Sequence, residues 1–222
     1  MERHLHEEFK ALREKLFQMG LLVEGVIEKA KEALLNRFAE LATEVFEDEK
    51  MINGLELEID EKGHALFALA QPVAGDLRLL AMILKINTDL ERMGDHAVNI
   101  AQRAQSLVGE QPLVTDFPLG AMADATQKMV RDAIDCFMNE NVDLARSVLS
   151  SDDQIDDYND SLYSAMMELM QKDASSVNRA MHLVMIGHNL ERVADLANNI
   201  AEDTIYFKQG KEVRHHSETT RF

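Results

Sequence analysis

The stretch Leu90-Glu91-Arg92-Met93-Gly94-Asp95-His96-Ala97-Val98-Asn99-Ile100-Ala101 returns one hundred residues later as Leu190-Glu191-Arg192-Val193-Ala194-Asp195-Leu196-Ala197-Asn198-Asn199-Ile200-Ala201. Leu, Glu, Arg, Asp, Ala, Asn, Ile and Ala keep their order and their spacing. Self-similarity at a fixed period marks copies of one supersecondary unit, and it constrains a fold more than any local pattern does. The chain is therefore read as a duplication, with two halves that fold alike.

Apolar residues within each copy recur in alternating steps of three and four, which draws a continuous stripe on a helix. In the first helix, about Leu5 to Leu35, the stripe is Leu5, Phe9, Leu12, Leu16, Met19, Val23, Val26 and Ala30, with Gly20 and Gly25 as weak points. Asn36-Arg37-Phe38 is a short turn. A second helix runs from about Ala39 to Ala70, and Gln71-Pro72-Val73-Ala74-Gly75-Asp76 ends it, because proline and glycine both oppose helix continuation. The third, about Asp76 to Leu107, carries the stripe Leu79, Ile83, Ile86, Leu90, Met93, Ala97, Ile100 and Ala104. Gly109 to Gly120, with Pro112 and Pro118, is the linker.

The second half repeats the plan, with helices at about Ala121 to Phe137, Val142 to Met170 and Val177 to Phe207. Breaks fall at Met138 to Asn141 and at Lys172 to Ser176. Gly210 stops the last helix, and the polar tail beyond it is expected to be mobile. Ala42, Val45 and Ile52 match Ala145, Val148 and Ile155 at an offset of 103, whereas the later motif matches at 100. The first half thus has three extra residues, which the Pro72 loop accommodates without disturbing either stripe. The expected fold class is all-α, with six long helices in two tandem three-helix bundles, residues 1–108 and 121–210.

The formal net charge of −17 repels phosphate backbones and argues against nucleic-acid binding. It favours cations and basic protein surfaces. One cysteine, Cys136, cannot form an intramolecular disulfide, which fits a reducing compartment. The charged start Met1-Glu2-Arg3-His4-Leu5-His6-Glu7-Glu8 does not read as a signal peptide. No apolar run reaches membrane-spanning length. The expected location is cytoplasmic, without membrane insertion.

The chemistry sits in the duplicated motif. Glu91, Asp95 and Asn99 form one row at helical spacing, and Glu191, Asp195 and Asn199 the equivalent row, flanked by His188. Each row lies about 100° round from the apolar stripe, on the shoulder of the bundle. Like charges at this spacing repel by about 0.2–0.5 kcal/mol, and a cation between them reverses the sign. Carboxylates with amide oxygens suit Mg, Ca, Mn or iron, and a nearby imidazole extends the range to Zn. Helix two offers Asn53, Glu56 and Asp60 as further donors, and helix five offers Asp156, Asn159 and Asp160. At the offset of 103, Asn53 matches Asp156 and Glu56 matches Asn159. Antiparallel packing of helices two and three would turn them toward the rows. A solvated acidic face is the plainer alternative for a single row.

Other residues carry less. His96 has Leu196 as its counterpart, so a site present in both halves does not need it. His64, His182 and His188 read as surface or packing residues, and a phosphotransfer role for His96 or His188 is the minor alternative. The paired Glu-x-x-His of a di-iron bundle is absent, as are phosphate-cradling and metalloprotease signatures. Cys136 reads as core, and Met166, Met167 and Met170 as gap fillers.

The segment Leu90 to Ala101 closely resembles the signature of the PhoU family, the phosphate-specific transport system accessory proteins. Gln71-Pro72-Val73-Ala74-Gly75-Asp76-Leu77-Arg78 looks like that family's loop and third-helix start, and Ile205 to His215 looks like its C-terminus. The resemblance implies pseudo-twofold symmetry between the two bundles and a non-enzymatic cytoplasmic regulator. It implies a negative regulator of the phosphate regulon that links the ATPase subunit of the high-affinity phosphate transporter to a membrane sensor histidine kinase, with a homodimer expected. The family's acidic motifs bind metal in some members, which carries onto Glu91 with Asp95 and Glu191 with Asp195; iron, Mn, Zn and Mg are the expected ions. The second copy departs from the pattern at Ala194 and Leu196. The alternative from another class is a metal-dependent enzyme on a carboxylate-bearing bundle, which lacks an evident base or nucleophile. A purely structural helical protein is the third reading.

Overall fold

The structure, a computed structural model, describes residues 2–70, 74–115 and 117–210. Its elements are α1 (Glu2–Asn36), α2 (Ala39–Ala70), α3 (Ala74–Leu107), α4 (Leu119–Met138), α5 (Val142–Leu149), α6 (Asp152–Lys172), a 3₁₀ turn (Ala174–Ser176) and α7 (Val177–Gln209). No strand occurs among the described residues, and Pro112 lies outside any helix while Pro118 is the N-cap of α4. Of the expected loop Gln71 to Asp76, residues 71–73 lie outside the described residues, as does the tail beyond Gly210, while Ala74, Gly75 and Asp76 already belong to α3, which starts two residues earlier than expected.

Helix boundaries follow local chemistry. The α1–α2 turn puts Arg37 at φ 58°. Its guanidinium donates to the Leu107 carbonyl at 3.1 Å and to that of Glu110, which ties the turn to the end of α3. Asn141 caps α5, its Oδ1 accepting from the Leu144 amide at 3.1 Å, the bond that satisfies an orphan donor of a first turn. Gly210 ends α7 in the left-handed conformation at φ 65°, its amide donating to the Tyr206 carbonyl at 2.8 Å, an αL stop without Cβ strain.

The fifth expected helix is present but interrupted. Ser150 and Ser151 separate α5 from α6, and their hydroxyls both donate to the Ser147 carbonyl at 2.9 and 3.0 Å. Serine side chains at that position compete with the backbone ladder. The matching residues of α2 at the 103 offset are Glu47 and Asp48, which make no such bond, and α2 runs through unbroken. Asp152 and Asp153 follow the break as the first turn of α6, where a helix dipole favours acids.

The stripes close into one core. Leu12, Leu16, Met19, Val23, Val26 and Ala30 of α1 are buried, as are Ile83, Ile86, Leu90 and Met93 of α3 and Ile186, Leu190, Val193 and Ile200 of α7, in a single cluster. Two tandem three-helix bundles suggest a small core in each half. Instead α3 packs on α7 and α1 on α4, so the helices that close each bundle also join the two. A satellite cluster of Leu162, Met166 and Ala180 lies beneath α6. Cys136 is buried as expected, and burial pushes its thiol up to about 11.

Charge is also buried at the α3–α7 seam. Lys85 donates to Asp203 at 2.7 Å, and Asp203 is 0 % exposed. Asp89, one turn on, is 5 % exposed, and its Oδ2 has no hydrogen-bond partner among the described residues. Burial drives the Asp89 carboxyl from 3.8 to about 6; Lys85 opposes the rise and Asp203 adds to it. The folded state therefore keeps a proton that the unfolded chain has lost across roughly pH 4–6, so this group's contribution falls as pH rises through that window and stays low above it. A shift of this size corresponds to about 2–3 kcal/mol. Asp89→Asn keeps an acceptor for Asn199 and removes the charge. It is expected to melt several degrees higher than wild type at pH 7.5, with the gap closing near pH 4.5. A variant that melts lower at pH 7.5 would show that the carboxylate is stabilising.

Candidate functional site

The two acidic rows are built by antiparallel helix pairs. In the first half, Ile52 of α2 lies against Gly94 of α3, and the Asn87 amide donates to the Glu56 carbonyl at 3.0 Å. In the second, Gly187 gives α6 room to approach α7, since a Cβ there would collide with the Leu162 side chain. That approach lets Asn159 donate to Glu191 at 2.7 Å.

The first row gathers Glu49, Asn53 and Glu56 from α2 with Glu91 and Asp95 from α3. Burial raises the Glu91 carboxyl, and Asp95, Glu56 and Glu49 reinforce it by repulsion, with Arg92 opposing. Asn53 donates to Glu49 at 2.5 Å, and its own Oδ1 is buried without a hydrogen-bond partner among the described residues. The second row gathers Asp152, Asp156 and Asn159 from α6 with Glu191, Asp195 and Asn198 from α7. Burial raises Asp152, Asp156 and Asp195. Asp156 adds to the rise at Asp152, Asp195 to that at Asp156, and Glu191 to that at Asp195, where the Arg192 ion pair at 2.9 Å opposes it. His188 lies 3.1 Å from Glu191.

Not every residue of the sequence pattern joins its row. Asn199 bonds to Asp89 across the α3–α7 seam, and Asn198 takes the place next to the row by bonding to Asp152. One residue turns a helix by about 100°, so the second of two adjacent asparagines faces a different neighbour. Asn99 is exposed. Asp60 accepts from Asn87 at 3.4 Å, one turn before Glu91, and its counterpart at the 103 offset is Tyr163. Glu49 and Asp152 escaped the sequence reading, although the same offset pairs them. His96 meets Asn189 at 2.9 Å and serves the α3–α7 seam.

The donors are hard oxygens, which suit multivalent cations. Asn53 Oδ1 and Asn198 Oδ1, one per row, are buried acceptors without a hydrogen-bond partner among the described residues, and this fits a cation. As the side chains stand, no group of three His, Cys, Asp or Glu among the described residues is placed to hold one. No described helix is long and apolar enough to cross a membrane.

Comparison with known proteins gives one consistent result. The model of the PhoU domain matches residues 16–104 and again 119–204. A phosphate-specific transport system accessory protein PhoU homolog of Aquifex aeolicus is 39 % identical over 211 residues, covering 95 % of this chain and 96 % of that protein. The crystal structure of PhoU from Pseudomonas aeruginosa superposes with a TM-score of 0.90 at 36 % identity, over 93 % of this chain and 99 % of that one. A phosphate transport system regulatory protein PhoU from Streptococcus pneumoniae superposes with a TM-score of 0.84 at 30 % identity, over 94 % and 99 %.

Proposed function

The chain belongs to the PhoU family of phosphate-transport accessory and regulatory proteins, which is non-enzymatic, and on that premise we propose that it is a cytoplasmic negative regulator of phosphate uptake and of the phosphate regulon. In this reading it links the ATPase subunit of the high-affinity phosphate transporter to a sensor histidine kinase and works as a homodimer. The observation that carries it is the family match in both halves, across nearly the whole chain. The acidic surface supports it as well, because opposite charge steers association with basic patches. Deleting the gene is the test. Phosphate-starvation genes are expected to switch on while phosphate is plentiful, and to switch off again on complementation. Unchanged repression in the deletion strain would reject the regulatory role.

The reading includes a multivalent cation in the rows: iron, Mn, Zn or Mg. Glu49, Asn53, Glu56, Glu91 and Asp95 would hold one, and Asp152, Asp156, Asn159, Glu191 and Asp195 another. A bound cation would offset the like-charge repulsion that adds to burial in raising the Glu91, Asp152, Asp156 and Asp195 carboxyls. Glu91→Gln with Asp95→Asn is expected to weaken Mn binding in the first half and spare the second, as read by calorimetry. Metal-free, this variant is expected to be at least as stable as wild type, because relief of like charge is worth about 0.2–0.5 kcal/mol per pair. A marked loss of metal-free stability would assign these residues to structural ion pairs instead.

A further inference from the structure

We propose that the outward seam of α6, with the adjoining face of α7, is a docking groove for an amphipathic partner helix that is apolar at one end and rich in lysine or arginine at the other. Asp153, Asp156, Asp160, Tyr163, Met167 and Met170 follow one another on α6 in steps of three and four, the spacing of a single stripe. The three aspartates are exposed. Tyr163 is 56 % exposed and Met167 38 %. Sequence reading made Met167 a gap filler; only Met166 of its neighbours is fully buried, and Met167 faces out.

Because α6 and α7 are antiparallel, with Asn159 on Glu191 and Leu162 against Gly187, the start of α7 lies beside the far end of α6. Val177, Met181 and Met185, spaced by four, are each at least 40 % exposed there. Contiguous exposed apolar side chains mark interaction surfaces, and methionine adapts to a partner's shape. A stripe with anchors at three- and four-residue steps fits a helix laid along it.

Charge selects the occupant. None of Asp153, Asp156 and Asp160 takes part in an ion pair among the described residues, and Asp156 is crowded by Asp195, Asp153, Asp160 and Asp157. A basic end satisfies that field, and an acidic or neutral helix does not. The duplication does not account for the pattern. The matching positions of α2 are Lys50, Asn53, Leu57, Asp60, His64 and Phe67, and those of α3 are Leu77, Ala81 and Lys85, where charge and apolar groups are mixed. The segregated stripe belongs to the second half alone. Asp153 and Asp160 are outside the acidic row, and the inference does not rest on the regulatory reading.

The probe is a labelled synthetic helix of about 18 residues, the length of the stripe from Asp153 to Met170, with leucines on one face at one end and lysines on that face at the other. Wild type is expected to bind it, and to bind a version with glutamates for lysines at least about tenfold more weakly. Met167→Ser with Met181→Ser is expected to weaken the lysine peptide about tenfold or more. Asp153→Asn with Asp160→Asn is expected to weaken it less and to flatten its salt dependence between about 0.1 and 1 M. Leu57→Ser with Phe67→Ser, in the first half, is expected to change nothing. All substituted side chains are exposed or nearly so, and circular dichroism confirms the folds. The proposal is overturned if the methionine variant binds as wild type does, or if the first-half variant loses as much. It is also overturned in favour of a second copy of the chain if sedimentation shows a dimer that the methionine variant dissolves and the peptide cannot enter.

Discussion

Phe137→Ala is expected to lower stability by about 3–5 kcal/mol and to leave one cooperative transition. Phe137 is 2 % exposed and leans on Phe207, ring centres 6.4 Å apart and planes at 54°. The small void beside it is lined by Leu16, Ile86, Leu90, Ile134, Met138 and Ile200, which come from α1, α3, α4 and α7. Both halves therefore meet at this ring. Removing it leaves a cavity that four long helices, already packed against other partners, can fill only in part. At about 2–4 °C per kcal/mol for a chain this size, the melting temperature should fall by roughly 6–20 °C. Calorimetry gives the decisive reading. If the halves had separate cores, the variant would melt in two steps with the first half unaffected; a shared core gives a single peak displaced as a whole.

Lys85→Met is the second large effect, and its origin is electrostatic. The Lys85 ammonium meets Asp203 at 2.7 Å, and Asp203 is 0 % exposed with Asp89 as a buried like charge nearby. Deleting one partner of a buried pair costs far more than the pair contributes, because the remaining carboxylate keeps its desolvation cost and loses the attraction that offset it. Lys85 keeps about a third of its side chain in solvent, so the expected loss is toward the lower end for buried pairs, about 3 kcal/mol at pH 7.5. Adding Asp203→Asn should return most of it. The measurement is a denaturant melt of both variants. A loss under about 1 kcal/mol for Lys85→Met would place the pair with surface salt bridges, and failure of the double variant to recover would mean that Asp203 matters for more than its charge.

The two predictions rest on different kinds of knowledge. That α1, α3 and α7 bury Leu12, Ile86 and Val193 follows from the alternating steps of three and four, because an apolar stripe at that spacing has no stable place in water. The duplication was equally plain, since two sequences this alike in order and spacing fold alike, and so were the all-helical class, the turn at Arg37 and the stop at Gly210. Periodicity is a property of one helix and is written locally.

What periodicity could not supply is which helix lies against which. Three apolar stripes per half suit two small cores or one large one. Only the packing of α3 on α7 chose the shared core, and with it the buried Lys85–Asp203 pair and the displaced carboxyl of Asp89. The same limit acted at the rows. Sequence spacing placed Glu91 and Asp95 on one face, yet it did not separate Asn198 from Asn199, because a turn of about 100° decides between them only once α6 and α3 occupy their places around α7. The break at Ser150 and Ser151 was a near balance between hydroxyl and backbone donors at the Ser147 carbonyl, which helix propensity alone does not resolve. Residues fixed the helices and their wet and dry faces; the tertiary structure decided which faces meet, because burial is not directional and accepts any partner that excludes water.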